Sequence, residues 1–144
     1  MNSKIKFFLI FGLIILSLAV IGYFKSVPGL EDEKLNRPQI EITPQSFDSG
    51  DIVYGQVMEY VFKVKNTGSE ILEIKRLDTS CGCTSAKIAK VEINPGEEAE
   101  LRVTYDSAAM SGPHGKGEQE RIIYVKSSDP VNPQVEVMIY ANVK

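Results

Sequence analysis

The sequence predicts an all-β fold, a sandwich of about seven strands in two antiparallel sheets, preceded by one N-terminal hydrophobic helix. Three observations carry this. From residue 39 onward, apolar side chains recur at every second position, and no stretch of helical length shows a three-to-four spacing. Turn residues interrupt these runs roughly every dozen positions, as two packed antiparallel sheets require. One uncharged run near the N-terminus stands apart from the rest.

In chain order, residues 1–6 form a short head containing Lys4 and Lys6, and residues 7–24 (FFLIFGLIILSLAVIGYF) hold 18 consecutive uncharged positions. That length reaches the lower end of what a helix rising about 1.5 Å per residue needs to cross a hydrocarbon core of about 30 Å. The segment reads as a transmembrane anchor, with a secretory signal as the alternative. A cut after Ala19 fits the small-x-small rule but leaves Val20 to Phe24 exposed, which favours the uncleaved anchor. Lys4 and Lys6 on one side are nearly balanced by Lys25, Lys34 and Arg37 on the other. A short head before a long folded domain favours the domain outside. Residues 25–38 (KSVPGLEDEKLNRP), with Pro, Gly and charge, read as a tether.

The domain proper spans residues 39–144. A first strand lies around Ile40 and Ile42. Tyr60, Phe62 and Val64 then alternate with Glu59, Lys63 and Lys65 up to the turn Asn66-Thr67-Gly68. Leu72 and Ile74 follow, with a short strand near Ile88. Leu101, Val103 and Tyr105 come after the turn Asn94-Pro95-Gly96. Ile123 and Val125 are closed by Ser127-Ser128-Asp129-Pro130, and the last strand carries Val135, Val137, Ile139, Ala141 and Val143. Each strand has an apolar and a polar face, so the apolar set is core and the charged set, Lys63, Lys65 and Glu73 among it, is a solvated surface. The cluster Glu97, Glu98 and Glu100 lacks the spaced oxygen ligands of a calcium loop and aids solubility.

Several phrases, read together, closely resemble the bacterial family called domain of unknown function 1573. They are Phe47-Asp48-Ser49-Gly50-Asp51-Ile52, Tyr60 to Gly68, Ser80-Cys81-Gly82-Cys83-Thr84, Ile93-Asn94-Pro95-Gly96-Glu97 and Ser127-Ser128-Asp129-Pro130. Cys-Gly-Cys-Thr between an Asn-Thr-Gly turn and a Pro-Gly turn is the specific part. Ser49 stands where that family usually has an aromatic, and Ser128 where it usually has Asn. The resemblance implies an immunoglobulin-like β-sandwich of the hydin, major-sperm-protein and pilus-chaperone type. It also implies an exported or membrane-anchored bacterial protein, with the domain on the periplasmic or other extracytoplasmic side, or secreted if the N-terminal segment is cut. It brings no established activity and no functional residues.

The formal net charge is -3, and residues 25–144 carry 14 Lys and Arg against 19 Asp and Glu, or -5. An acidic domain without a basic patch argues against a nucleic-acid partner. There is one His and no Trp. His114 lies in Gly112-Pro113-His114-Gly115-Lys116-Gly117, a glycine-rich turn unsuited to a catalytic triad, and no nucleophile motif, phosphate loop or HExxH is present. No enzyme is expected beyond thiol chemistry, which would rest on Cys81 and Cys83. In an extended segment their side chains share a face with α-carbons about 6.6 Å apart, just inside disulfide range, and Gly82 permits a sharper turn. Such a pair has three readings: small buried hydrophobes, a labile redox disulfide, or two thiolates for Cu(I) with Met110 or His114 as further ligands. The expected role is a non-catalytic, membrane-tethered module, held in the membrane through residues 7–24, that binds another protein or serves envelope assembly. Thiol-redox or Cu(I) handling through Cys-Gly-Cys is the alternative, copper being the one cofactor considered.

Overall fold

The computed structural model describes residues 36–109 and 115–144, together with the isolated pair Leu16–Ser17. The head, nearly all of the anchor segment, most of the tether, Met110 and His114 lie outside the described residues. Among those described, nine strands follow one another: β1 (Ile40–Thr43), β2 (Ser46–Ile52), β3 (Val57–Asn66), β4 (Leu72–Thr79), β5 (Thr84–Ile88), β6 (Glu92–Ile93), β7 (Glu98–Asp106), β8 (Gly117–Ser127) and β9 (Gln134–Val143). They form a four-stranded sheet, ordered β1-β3-β7-β5, and a five-stranded sheet, ordered β2-β9-β8-β4-β6.

Alternation sets the register in both sheets. In the first, β3 and β7 place Tyr60 opposite Val103, Phe62 opposite Leu101 and Val64 opposite Ala99. In the second, β8 and β9 place Ile123 opposite Val137 and Val125 opposite Val135. Shifting either pair by one residue would turn Phe62 or Ile123, both without solvent exposure, out to water. These inward rows, with Leu72, Ile93 and Ile139, make one continuous core between the sheets. The intervening charged residues pair across the outer faces, as in Arg102 with Glu59 and Lys126 with Asp78.

Two strands exceed the seven expected, for different reasons. β6 is only two residues long, too short to show a period. β2 (SFDSGDI) is polar, and its place comes from backbone pairing with β9, the one parallel pair among the described strands. A register shift between Asp48 and Asp51 interrupts that ladder, with Gly50 at φ 66° and its N–H bonded to the Asp48 carboxylate at 2.8 Å. Phe47 supplies the apolar anchor of β2. Its ring stacks on Tyr60 of the opposite sheet at 3.8 Å between centroids, and Tyr60 meets Phe62 edge-on at 4.9 Å. The chain passes from β1 to β2, and so between sheets, through a cis Thr43–Pro44 peptide. Ser49 and Ser128, the two departures from the family pattern, are both bonded: Ser49 Oγ donates to the Tyr140 carbonyl at 3.0 Å, and Ser128 Oγ accepts from the Glu73 N–H at 2.9 Å.

Candidate functional site

Cys81 and Cys83 lie in the turn joining β4 of the five-stranded sheet to β5 of the four-stranded sheet. The chain is not extended there. The two α-carbons are 5.2 Å apart and the side chains are joined in a disulfide. A side chain and the backbone both hold the turn: the Thr79 hydroxyl lies 3.0 Å from the Cys81 carbonyl and 3.1 Å from the Thr84 carbonyl, the Thr84 N–H lies 3.4 Å from the Cys81 carbonyl, and the Ser80 N–H donates to the Ile122 carbonyl of β8 at 2.9 Å. Beyond the turn, the Asp106 N–H bonds the Cys83 carbonyl at 2.9 Å, seating the second cysteine against β7.

The two sulfurs stand in different surroundings. Cys83 is buried within the core cluster, whereas Cys81 packs against its edge and is part-exposed. Thr84, itself buried, brings its hydroxyl within 3.4 Å of Cys81 Sγ and 3.8 Å of Cys83 Sγ. Gly82 is exposed, its φ lies outside the left-handed region, and a Cβ there would meet nothing within 4 Å. The glycine is therefore not demanded by backbone strain; its effect is an open outer side to the turn.

As a crosslink this bond does little for the fold. Loop-closure entropy for three residues comes to about 1.6 kcal/mol, roughly half the value for a loop of about 15 residues. The residues on either side of the bond are already placed by other hydrogen bonds, the Cys81 and Thr84 carbonyls by the Thr79 hydroxyl and the Cys83 carbonyl by the Asp106 N–H. As a metal site it offers no thiolate in this form, so Cu(I) binding would require the reduced pair, and Met110 and His114 lie outside the described residues. Among the described residues no group of three or more His, Cys, Asp or Glu is arranged to hold a metal ion.

A second feature, absent from the sequence reading, lies at the β2–β3 turn. Val53 and Val57 are 68% and 58% exposed, and Tyr54 beside them is partly exposed. A backbone bond from Tyr54 N to the Lys144 carbonyl (3.1 Å) pins this turn, as does the Ser107 hydroxyl, which accepts from the Gly55 N–H and donates to the Gln56 carbonyl, both at 2.9 Å. The Lys116 ammonium sits 5.6 Å above the Tyr54 ring. Alternation could not reveal this patch, because its residues fall in a turn and at a strand end.

Acidic residues elsewhere are absorbed by local structure. Glu97 accepts from Lys90 at 2.5 Å and from the Asn94 N–H at 3.0 Å, in that order the main causes of its lowered pKa, and so serves as a turn clasp. Asp48 and Asp51, with Glu118 and Asn142, line a shallow groove of about 410 Å³, where Asp51 is held below its ordinary pKa chiefly by Lys144 and then by Asn142.

Known structures share this architecture. A protein of unknown function from Porphyromonas gingivalis superposes with a TM-score of 0.67 at 21% identity, over 81% of this chain and 51% of its own. The chain thus spans about half the length of that protein. The seventh PapD-like (ASH) domain of human CEP192 superposes at 0.55 with 10% identity, covering 76% of this chain and 87% of that domain. The Vibrio cholerae protease VesB superposes at 0.56 with 16% identity, over 74% of this chain and only 32% of its own. At these identities the likeness is one of fold, a PapD-like immunoglobulin-type sandwich. No curated protein matches. The Cys-Gly-Cys-Thr turn, the Asn-Thr-Gly and Asn-Pro-Gly turns and the two-sheet frame around them fall within residues 40–143, which match the family described as protein of unknown function (DUF1573), and to that family the chain belongs.

Proposed function

We propose that this chain is a non-catalytic, membrane-tethered β-sandwich module, held by residues 7–24 on the extracytoplasmic side of a bacterial membrane, that binds another protein through the Val53–Tyr54–Val57 patch. The observation that carries this reading is the patch itself. Three large apolar side chains face outward on one turn held in place by hydrogen bonds, whereas the other exposed apolar residues of the domain, Ile71, Val91 and Val131, fall one each in three separate segments. Apolar groups presented on a fixed turn cost little ordering entropy when a partner covers them. Lys116 beside Tyr54 suits a partner whose apolar contact is rimmed by carboxylates. The fold is also that of the YadV chaperone, which superposes with a TM-score of 0.51.

The test is photocrosslinking in intact cells from the full chain, with a photoreactive phenylalanine at position 54 and, as control, at Lys63 on an outer sheet face. A discrete protein adduct from position 54 alone, lost in a Val53→Asp/Val57→Asp variant of unchanged thermal stability, is expected. Identical adduct patterns from both positions, or adducts indifferent to the double substitution, would overturn the reading. Membrane tethering is checked separately, by carbonate extraction of the intact chain and of one lacking residues 7–24.

A further inference from the structure

We infer that the Cys81–Cys83 pair is a thiol–disulfide exchange site for an external dithiol, with Cys81 as the attacked sulfur and Thr84 as the group that steadies the departing thiolate. The inference stands apart from the binding patch. Four observations bear on it. The bond closes a loop of only three residues in a turn already fixed by other hydrogen bonds, so breaking it removes little support from the fold. Its two ends differ in access, Cys81 being part-exposed and Cys83 buried. The flank beside Gly82 is open. Finally, the Thr84 hydroxyl reaches both sulfurs from the inner side.

The chemistry follows from that asymmetry. A thiolate of the partner dithiol approaches from solvent and attacks Cys81 Sγ, forming a mixed disulfide and expelling Cys83 as thiolate. Burial makes that thiolate costly, so a hydrogen bond from the Thr84 hydroxyl at a sulfur 3.8 Å away lowers its cost until a proton arrives from water. The partner's second thiolate then attacks its own sulfur in the mixed disulfide, releasing Cys81, which is also protonated. Two electrons and two protons have passed from the partner, now a disulfide, to the cysteine pair, now a dithiol; the reverse sequence oxidises the pair. The exchange is stoichiometric and needs no other group of the domain.

The experiment uses the full-length chain in redox buffers of reduced and oxidised glutathione or dithiothreitol. Free thiols are counted after acid quench and alkylation, and the fold is followed by far-ultraviolet circular dichroism. Millimolar reduced glutathione is expected to open the bond with the dichroism unchanged, and mass spectrometry of the quenched intermediate should place glutathione on Cys81 rather than Cys83. Thr84→Val should slow opening about tenfold, the loss of one hydrogen bond to a charged group, while Thr84→Ser restores the rate. A bond that resists millimolar glutathione, one that opens only as the chain unfolds, or glutathione distributed equally between the two cysteines overturns the proposal. Should Thr84→Val fail to fold, the site of glutathione attachment in the unaltered chain decides alone.

Discussion

Asn66 ends β3 with no solvent exposure, and its side-chain amide uses every hydrogen-bonding capacity it has. Nδ2 donates to the carbonyls of Glu70 (2.7 Å) and Ile93 (2.8 Å), while Oδ1 accepts from the N–H groups of Gly68 (3.0 Å) and Gln39 (3.3 Å). Read as a turn residue in the sequence, it is also the polar centre around which three segments meet. Gly68 beside it admits no side chain, because a Cβ there would lie 2.5 Å from Gln39 N and closer still to the Arg37 carbonyl. Asn66→Ala should lower stability by about 2–4 kcal/mol, since it strands buried backbone donors and acceptors, with an unchanged denaturant slope in urea melts. Asp129 performs a similar task with a charge. Its carboxylate accepts from the N–H groups of Ile40 (3.0 Å), Val131 (2.8 Å) and Asn132 (3.1 Å), tying β1 to the β8–β9 turn. Burial is the largest single influence and pushes its pKa up, but the backbone donors together outweigh it and hold the pKa below the ordinary 3.8. A depressed folded-state pKa contributes stability that is complete above the unfolded-state value and is lost as pH falls through the folded one. Thermal melts should therefore show stability falling as pH drops below about 4, and Asp129→Asn should be less stable at neutral pH with a flatter acid limb. Some slope will remain, because Asp51 and Glu97 are shifted in the same direction.

Among the elements, β3, β7 and β9 were legible from alternation because each buries an apolar face along most of its length, whereas β8 was legible only from Ile123 onward, since Gln119 and Arg121 stand at the inward positions of its first half. β2 was not, because its stability comes from the β9 ladder, the Phe47 ring and the buried Ile52 at its end rather than from an apolar row. Phe47→Ala should consequently loosen β2 selectively. Amide exchange measured by mass spectrometry should rise across Ser46–Ile52, whereas β8 and β9 keep each other's protection. The cost in stability should be about 2 kcal/mol, below that of a fully buried ring. Equal deprotection of β9 would show that β2 is integral to the second sheet rather than an addition to its edge. The Cys-Gly-Cys turn was partly legible: the spacing allowed a disulfide as one of three readings, and the chain there is bent rather than extended. The Thr79 hydroxyl spans the turn from β4 to the Thr84 carbonyl of β5, and Ser80 is bonded to Ile122 of β8, a contact between residues distant in sequence that leaves no local pattern.

Over the whole molecule, the outer-face ion pairs are solvent-exposed and each contributes little, so the interlocked apolar rows of the two sheets carry the fold. Period-two alternation could predict that much, since a strand with one apolar face has to bury it against another sheet. The sequence by itself determined the all-β class, the limits of most strands, the acidic surface and the family to which residues 40–143 belong. Only the tertiary structure decided which strands share a sheet, that β2 runs parallel to β9, that Asn66 and Asp129 hold separate segments together, and that one cysteine is part-exposed at the core edge while its partner is buried in the core. The physical reason is the range of the interactions. Hydrophobic period and turn chemistry are set by neighbours along the chain, whereas sheet order, buried hydrogen bonds and the access of a sulfur depend on residues brought together from far apart in sequence.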